Sequence, residues 1–251
     1  MTAFAVLLIA VGAADLTRSI VSQRPPRTFG FPLAALLTGI ATVWLVAGFA
    51  GLLTGPGWAL AALSTLTVVV WIGLSERSLT TDRGHIAALI ALAAGLVTHL
   101  AFSGWAPTAG GRLAQWLDWT HLPWSPEPGR ALLLTGLVLV QLSTGNLIVR
   151  LVLVSTGAMD AAPNRDEPSD ELKGGRLLGP LERLFILGLG LAGQVTAAGL
   201  VIAAKGLLRW PELNAHSREG ATAHIDKVTE YFLVGSFVSW LVALSALALA
   251  A

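Results

Sequence analysis

Residues 31–53 read FPLAALLTGIATVWLVAGFAGLL, residues 54–57 read TGPG, and residues 58–75 read WALAALSTLTVVVWIGLS. Neither apolar run carries a charged side chain. A helix crossing a hydrocarbon layer about 30 Å thick needs roughly 20 apolar residues at a rise of about 1.5 Å each. Both runs meet or approach that length. Thr54, Gly55, Pro56 and Gly57 supply turn chemistry and leave no room for a long connection, so the pair is predicted to be an antiparallel helical hairpin.

The same reading extends outward. Ala131–Val149, Leu184–Ala204 and Tyr231–Ala251 are further uncharged apolar stretches, and His85–Phe102 is a shorter one. Met1–Ile20 is apolar until Asp15 and Arg18 interrupt it. No Lys or Arg lies near Met1, where a secretory signal would carry one, so this segment reads as a first span. Asp15 and Arg18 are three residues apart on one helical face and are expected to neutralise each other at a solvated helix end. The fold predicted is all-α: a polytopic transmembrane helix bundle of about seven spans, six without the first, forming one integral membrane domain over residues 1–251.

Composition agrees. Of 251 residues, 54% are hydrophobic and 12% charged, and the mean hydropathy is +0.70. A soluble domain carries about 25% charged residues, which its hydrated surface requires. A formal net charge of +1 provides no basic field for nucleic acid. The absence of Cys excludes disulfides, thiolate metal sites and Cys nucleophiles. The five His residues show no i, i+4 pairing, no H-E-x-x-H occurs, and neither a metal nor a cofactor is expected. His99, inside a stretch, is the one His placed to serve as a proton-relay group, against the simpler reading of a hydrogen-bonded neutral imidazole.

Two segments stand apart. Residues 103–130 hold Trp105, Trp116, Trp119 and Trp124 among Pro and Gly, with Leu113, Trp116 and Leu117 at helical spacing. Indoles favour the headgroup region, so a short amphipathic helix lying on the membrane is predicted. Residues 157–175 are rich in Asp, Glu, Arg and Lys and read as a hydrated connector. Alternate connections divide the cations. Arg18, Arg24, Arg27, Arg77, Arg83, Arg150, Arg165, Lys173 and Arg176 fall on one side, and Arg112, Arg130, Lys205, Arg209, Arg218 and Lys227 on the other. The positive-inside rule then places the N-terminus outside and the C-terminus in the cytoplasm of a bacterial cytoplasmic membrane.

Polar residues within apolar stretches are the candidate site. Arg183, Gly190, Gln194 and Lys205 share one face at about 100° per residue, with Gln194 at mid-membrane. Glu182 precedes Arg183, and Pro180 suits a first helical turn. In the stretch from Ala131, Gln141 lies near the centre, and Ser143, Asn146 and Arg150 share one stripe by the same arithmetic. Two central amides, Gln141 and Gln194, fit a buried interhelical contact or the lining of a cavity, and Glu230 stands at the entry to the last apolar run. Gly188, Gly190 and Gly193 spell G-x-G-x-x-G, but inside a helix rather than after a strand they read as small residues for close helix approach.

The C-terminal third carries GRLLGPLER from Gly175 to Arg183, the pair Gly193–Gln194, AAKGLLRWPEL from Ala203 to Leu213, and TEYFLVGSFVSW from Thr229 to Trp240. Over roughly 174–251 it resembles a family of bacterial, actinobacterial-type integral membrane proteins known only as a domain of unknown function. Near the start, where such families show a His and an Asp or Gln, only Asp15 stands here. The resemblance implies a membrane fold and no activity. It draws attention to Arg176, Glu182, Arg183, Gln194, Lys205, Arg209, Glu212, Glu230 and Tyr231.

The leading expectation is binding or movement of a small solute through a polar cavity bordered by Glu182, Arg183, Gln194, Lys205, Glu230, Gln141, Asn146 and Arg150. A second is a scaffold that docks a partner membrane protein or another copy of itself through its small-residue faces. A third is an intramembrane enzyme on lipid-linked substrates with Glu182 or Glu230 as base. No catalytic signature favours the enzyme, and the lipid bilayer is the partner implied in every case.

Overall fold

The computed structural model describes residues 1–21, 30–81, 83–121, 126–159, 175–204, 207 and 222–250. Among these, every regular element is helical and no strand occurs. The helices are α1 (Thr2–Val21), α2 (Gly30–Phe49), α3 (Gly57–Thr81), α4 (His85–Ala101), α5 (Gly111–Thr120), α6 (Pro128–Leu139), α7 (Gly145–Ser155), α8 (Gly175–Leu191), α9 (Val195–Ala204) and α10 (Thr222–Ala250). A 3₁₀ turn covers Ser103–Trp105 and a π turn covers Val140–Thr144. Among the described residues, four stretches are long and apolar enough to cross a membrane: Thr2–Ile20, Gly57–Thr81, Pro128–Ser155 and Glu230–Ala250. Leu33–Phe49, His85–Ala101 and Val195–Ala204 are shorter apolar helices. Arg24, Arg27, most of the hydrophilic connector, Trp124 and Lys205 lie outside the described residues.

The chain forms two compact units, Met1–Thr144 and Gly145–Ala251. In the first, α1 is the central rod. Ala3 to Val11 are buried without interruption, as are Gly12, Ala14 and Asp15. A helix buried on all sides needs neighbours that come close, and glycine permits this. A Cβ on Gly12 would stand 2.6 Å from Leu139 Cβ, and one on Gly136 would stand 2.7 Å from Leu8 Cβ. Gly39 is pressed against Val68 in the same way, which joins α2 to α3.

The α2–α3 hairpin forms as its turn residues predict. Gly51 and Gly55 take positive φ, and a Cβ on Gly57 would overlap the Leu52 carbonyl. The Ala50 carbonyl also accepts from Gly110 N–H at 2.8 Å, which ties the start of α5 to the end of α2. Helix α5 is amphipathic: Leu113 and Leu117 are buried, while Trp116 and Trp119 are exposed. Trp116 therefore does not share the buried stripe with the leucines, although the spacing suggested it.

In the second unit, Ile186 of α8, Ala198 of α9 and Ala243 of α10 form a buried cluster flanked by Leu189, Val201, Ile202 and Trp240. The stretch Leu184–Ala204, expected to be one helix, is two. Gly193 takes φ +75°, its N–H donates to the Gly190 carbonyl at 3.0 Å, and Gln194 N–H reaches back to the Leu189 carbonyl at 2.8 Å. This paired closure on a left-handed glycine terminates α8. The Gln194 carbonyl then accepts from Ala198 N–H and opens α9. Pro180 lies inside α8 rather than in its first turn.

Candidate functional site

The most elaborate polar arrangement in the first unit surrounds Asp15, which is 4% exposed. Its carboxylate accepts from Trp71 Nε1 at 3.3 and 3.1 Å and from Thr144 Oγ1 at 2.8 Å. Arg18, one turn on, brings Nη2 to 3.9 Å from Oδ1 and donates to Ser75 Oγ at 3.0 Å. The same guanidinium places Nε 3.9 Å from Glu76 Oε2. Arg18 thus stands at equal distance from two carboxylates, one enclosed and one half-exposed. The pairing expected of Asp15 and Arg18 is present, but Asp15 is enclosed by α1, α3 and the π turn instead of lying at a solvated helix end.

The π turn explains how two adjacent hydroxyls reach α1. In a regular α-helix successive side chains diverge by about 100°. The wider turn at Val140–Thr144 buries Gln141, Ser143 and Thr144 together. Ser143 Oγ donates to the Gly12 carbonyl at 2.9 Å while Thr144 reaches Asp15, so the two meet successive levels of one helix. A π turn recurs at functional sites because it re-aims side chains at some cost in regularity. It also breaks the constant angular step on which the stripe of Ser143, Asn146 and Arg150 depended.

A second arrangement centres on Arg183, 1% exposed and within the second unit. Its Nη2 donates to Asn146 Oδ1 at 2.6 Å and its Nη1 to Ser239 Oγ at 3.1 Å. Gly145 makes the seat: a Cβ there would fall 2.8 Å from Arg183 Nε. Arg183 therefore ties α7, α8 and α10 together.

The remaining candidates differ in exposure. Glu182 is half-buried, Arg150 is half-buried, Gln141 is fully buried in the first unit, and Asn146 is exposed apart from its bond to Arg183. Gln194 and Glu230 are exposed. Gln194 caps a helix break and does not act as a sheltered mid-helix amide. His99 is buried between α4 and α3, with Nδ1 2.8 Å from the Gly95 carbonyl and Nε2 2.9 Å from Ser64 Oγ. Both ring nitrogens therefore have hydrogen-bond partners within the first unit.

Sequence reasoning did not find Trp71, Thr144, Ser75 or Glu76. The signal available was the polar run Gln141-Leu142-Ser143-Thr144 inside an otherwise apolar stretch, together with Glu76 and Arg77 following Ser75. No group of three or more His, Asp or Glu among the described residues is arranged to hold a metal ion. No family model, no curated protein and no solved structure matches this chain.

Proposed function

We propose that this is a multi-pass protein of a bacterial cytoplasmic membrane that binds or moves a small polar solute, with Asp15 at the centre of its site. The observation that carries this reading is a carboxylate enclosed by apolar helices yet held by Trp71, Thr144 and Arg18. An ionisable group in such surroundings is costly relative to an apolar residue of similar size, and within spans such groups line solute, ion and proton paths. Asp15 and Glu76 against Arg18 leave one net negative charge when all three are ionised. That balance favours a small cation, the proton being the smallest. The π turn supports the same reading, since it aims Thr144 at the carboxylate.

Arg18, Arg77 and Arg83 gather at one end of the first unit, and Trp105, Trp116 and Trp119 at the other. With positive residues inside, the Asp15 cluster lies toward the cytoplasmic face and α5 lies on the outer surface. The docking alternative draws less support, because Gly12, Gly39, Gly95 and Gly136 are used for contacts inside the unit.

The test is flux in liposomes containing the purified full-length chain, with proton entry read by an enclosed pH-sensitive dye and methylammonium uptake read by radiolabel. Asp15→Asn keeps the shape and removes the charge. It is expected to abolish the flux while thermal stability in detergent stays level or rises. Flux through Asp15→Asn equal to that of the unaltered protein refutes the assignment.

A further inference from the structure

A groove of about 490 Å³ runs along the outside of α2 and α3. Its volume lies within the range of roughly 300–1,000 Å³ seen for ligand sites. Leu33 and Leu36 of α2 and Val69 and Ile72 of α3 make apolar walls, and Gly73 leaves a gap in the α3 side. A Cβ built on Gly73 meets nothing within 4 Å, so the missing side chain is what keeps this part of the groove open. At one end the lining changes character to Glu76, Arg77 and Thr80. The groove is therefore apolar along its length and charged at one terminus, the form of a molecule with a hydrocarbon tail and a polar head.

The charges at that terminus define the head. Arg77 is exposed, and among the described residues no carboxylate lies within ion-pair distance of it. A guanidinium in that position suits a phosphate, which it can bind through two parallel N–H donors. Glu76 lines the same terminus, and its nearest cation, Arg18, is divided between Glu76 and Asp15 at 3.9 Å from each. One guanidinium facing two carboxylates leaves a negative charge incompletely offset on the groove side. A purely anionic head would meet repulsion from Glu76, and a purely cationic one would meet repulsion from Arg77. A head with both signs, a phosphate followed by a primary ammonium that can donate hydrogen bonds, complements the pair.

We propose that the α2–α3 groove is a binding site for a phosphoethanolamine-headed lipid, with its acyl chain against Leu33, Leu36, Val69 and Ile72, its phosphate on Arg77 and its ammonium on Glu76. The site goes beyond solute movement and requires only that the helices lie in a bilayer. A chain that moves nothing still holds the lipid.

The full-length protein is reconstituted in discs containing equal amounts of phosphatidylethanolamine, phosphatidylglycerol and phosphatidylcholine, extracted into detergent, washed, and analysed for retained lipid by mass spectrometry. Phosphatidylethanolamine is expected to be enriched by up to about fivefold over the other two, the range of a partly exposed ion pair. Gly73→Phe projects a ring from a position where a Cβ has open space and should reduce retained lipid. Arg77→Gln, at an exposed position, and Glu76→Gln, at a half-exposed one facing Arg18, should each bring the three lipids toward equality. Equal retention of all three lipids by the unaltered protein, or preference for phosphatidylglycerol, overturns the head assignment. Undiminished retention by Gly73→Phe overturns the groove. Displacement by glycerophosphoethanolamine at the same concentration as the whole lipid overturns the role of the acyl chain.

Discussion

Thr144 and Asp15 illustrate how much one buried donor contributes. Replacing Thr144 by Val keeps the volume and removes a hydroxyl bonded to a carboxylate at 2.8 Å. The expected loss is about 1–2 kcal/mol, because an enclosed acceptor then lacks one of its donors. The same change made beside Asp15→Leu should cost little, and thermal unfolding of the four proteins measures the coupling. Arg183 gives a second case. Gly145→Ala places a methyl carbon 2.8 Å from Arg183 Nε, so the guanidinium must leave its seat between Asn146 and Ser239. A loss of about 1–3 kcal/mol is expected from this overpacking. The sequence displayed both Asp15 and Arg183 as charges near the ends of apolar runs. Their burial was not legible there, because a long or short side chain near a helix end can reach water unless a neighbouring helix closes the way.

At the scale of the element, glycine has two distinct uses. Gly136 lies at a helix crossing, where a Cβ would stand 2.7 Å from Leu8 Cβ, so Gly136→Val should weaken the first unit by about 1–3 kcal/mol or prevent its assembly. Gly193 has open space around it but a φ of +75°, so Gly193→Ala should cost about 1 kcal/mol through backbone strain alone. Circular dichroism during thermal unfolding distinguishes both from Gly73→Ala. That position is exposed and helical, and replacement there should add up to about 1 kcal/mol. The glycine-rich run at 188–193 was read as a packing motif, and only part of it packs. Gly190 lies against Leu247, whereas Gly193 ends the helix. Hydropathy could not reveal the break after Leu191, since Ala192 and Gly193 carry no polar side chain and Gln194 reads equally well as a mid-helix amide.

At the scale of the whole molecule, the arrangement of the first unit makes a direct topological prediction. The chain contains no cysteine, so single cysteines can be introduced without background. Trp119→Cys on exposed α5 should react with a membrane-impermeant maleimide in intact cells, and Arg83→Cys should react only after the membrane is opened. The reverse pattern would invert the proposed orientation. The all-α class and the α2–α3 hairpin follow from the sequence alone, since uncharged runs of helical length and a Thr-Gly-Pro-Gly turn leave the backbone few ways to satisfy its hydrogen bonds away from water. The helix least distinct in the sequence, α1, became the rod around which the first unit packs, and its isolated aspartate became the centre of the candidate site. Only the tertiary structure decided these points. Hydropathy measures how much apolar surface a segment must hide, whereas the partner that hides it depends on glycine gaps, a π turn and hydrogen bonds between residues as far apart in the chain as Asp15 and Thr144.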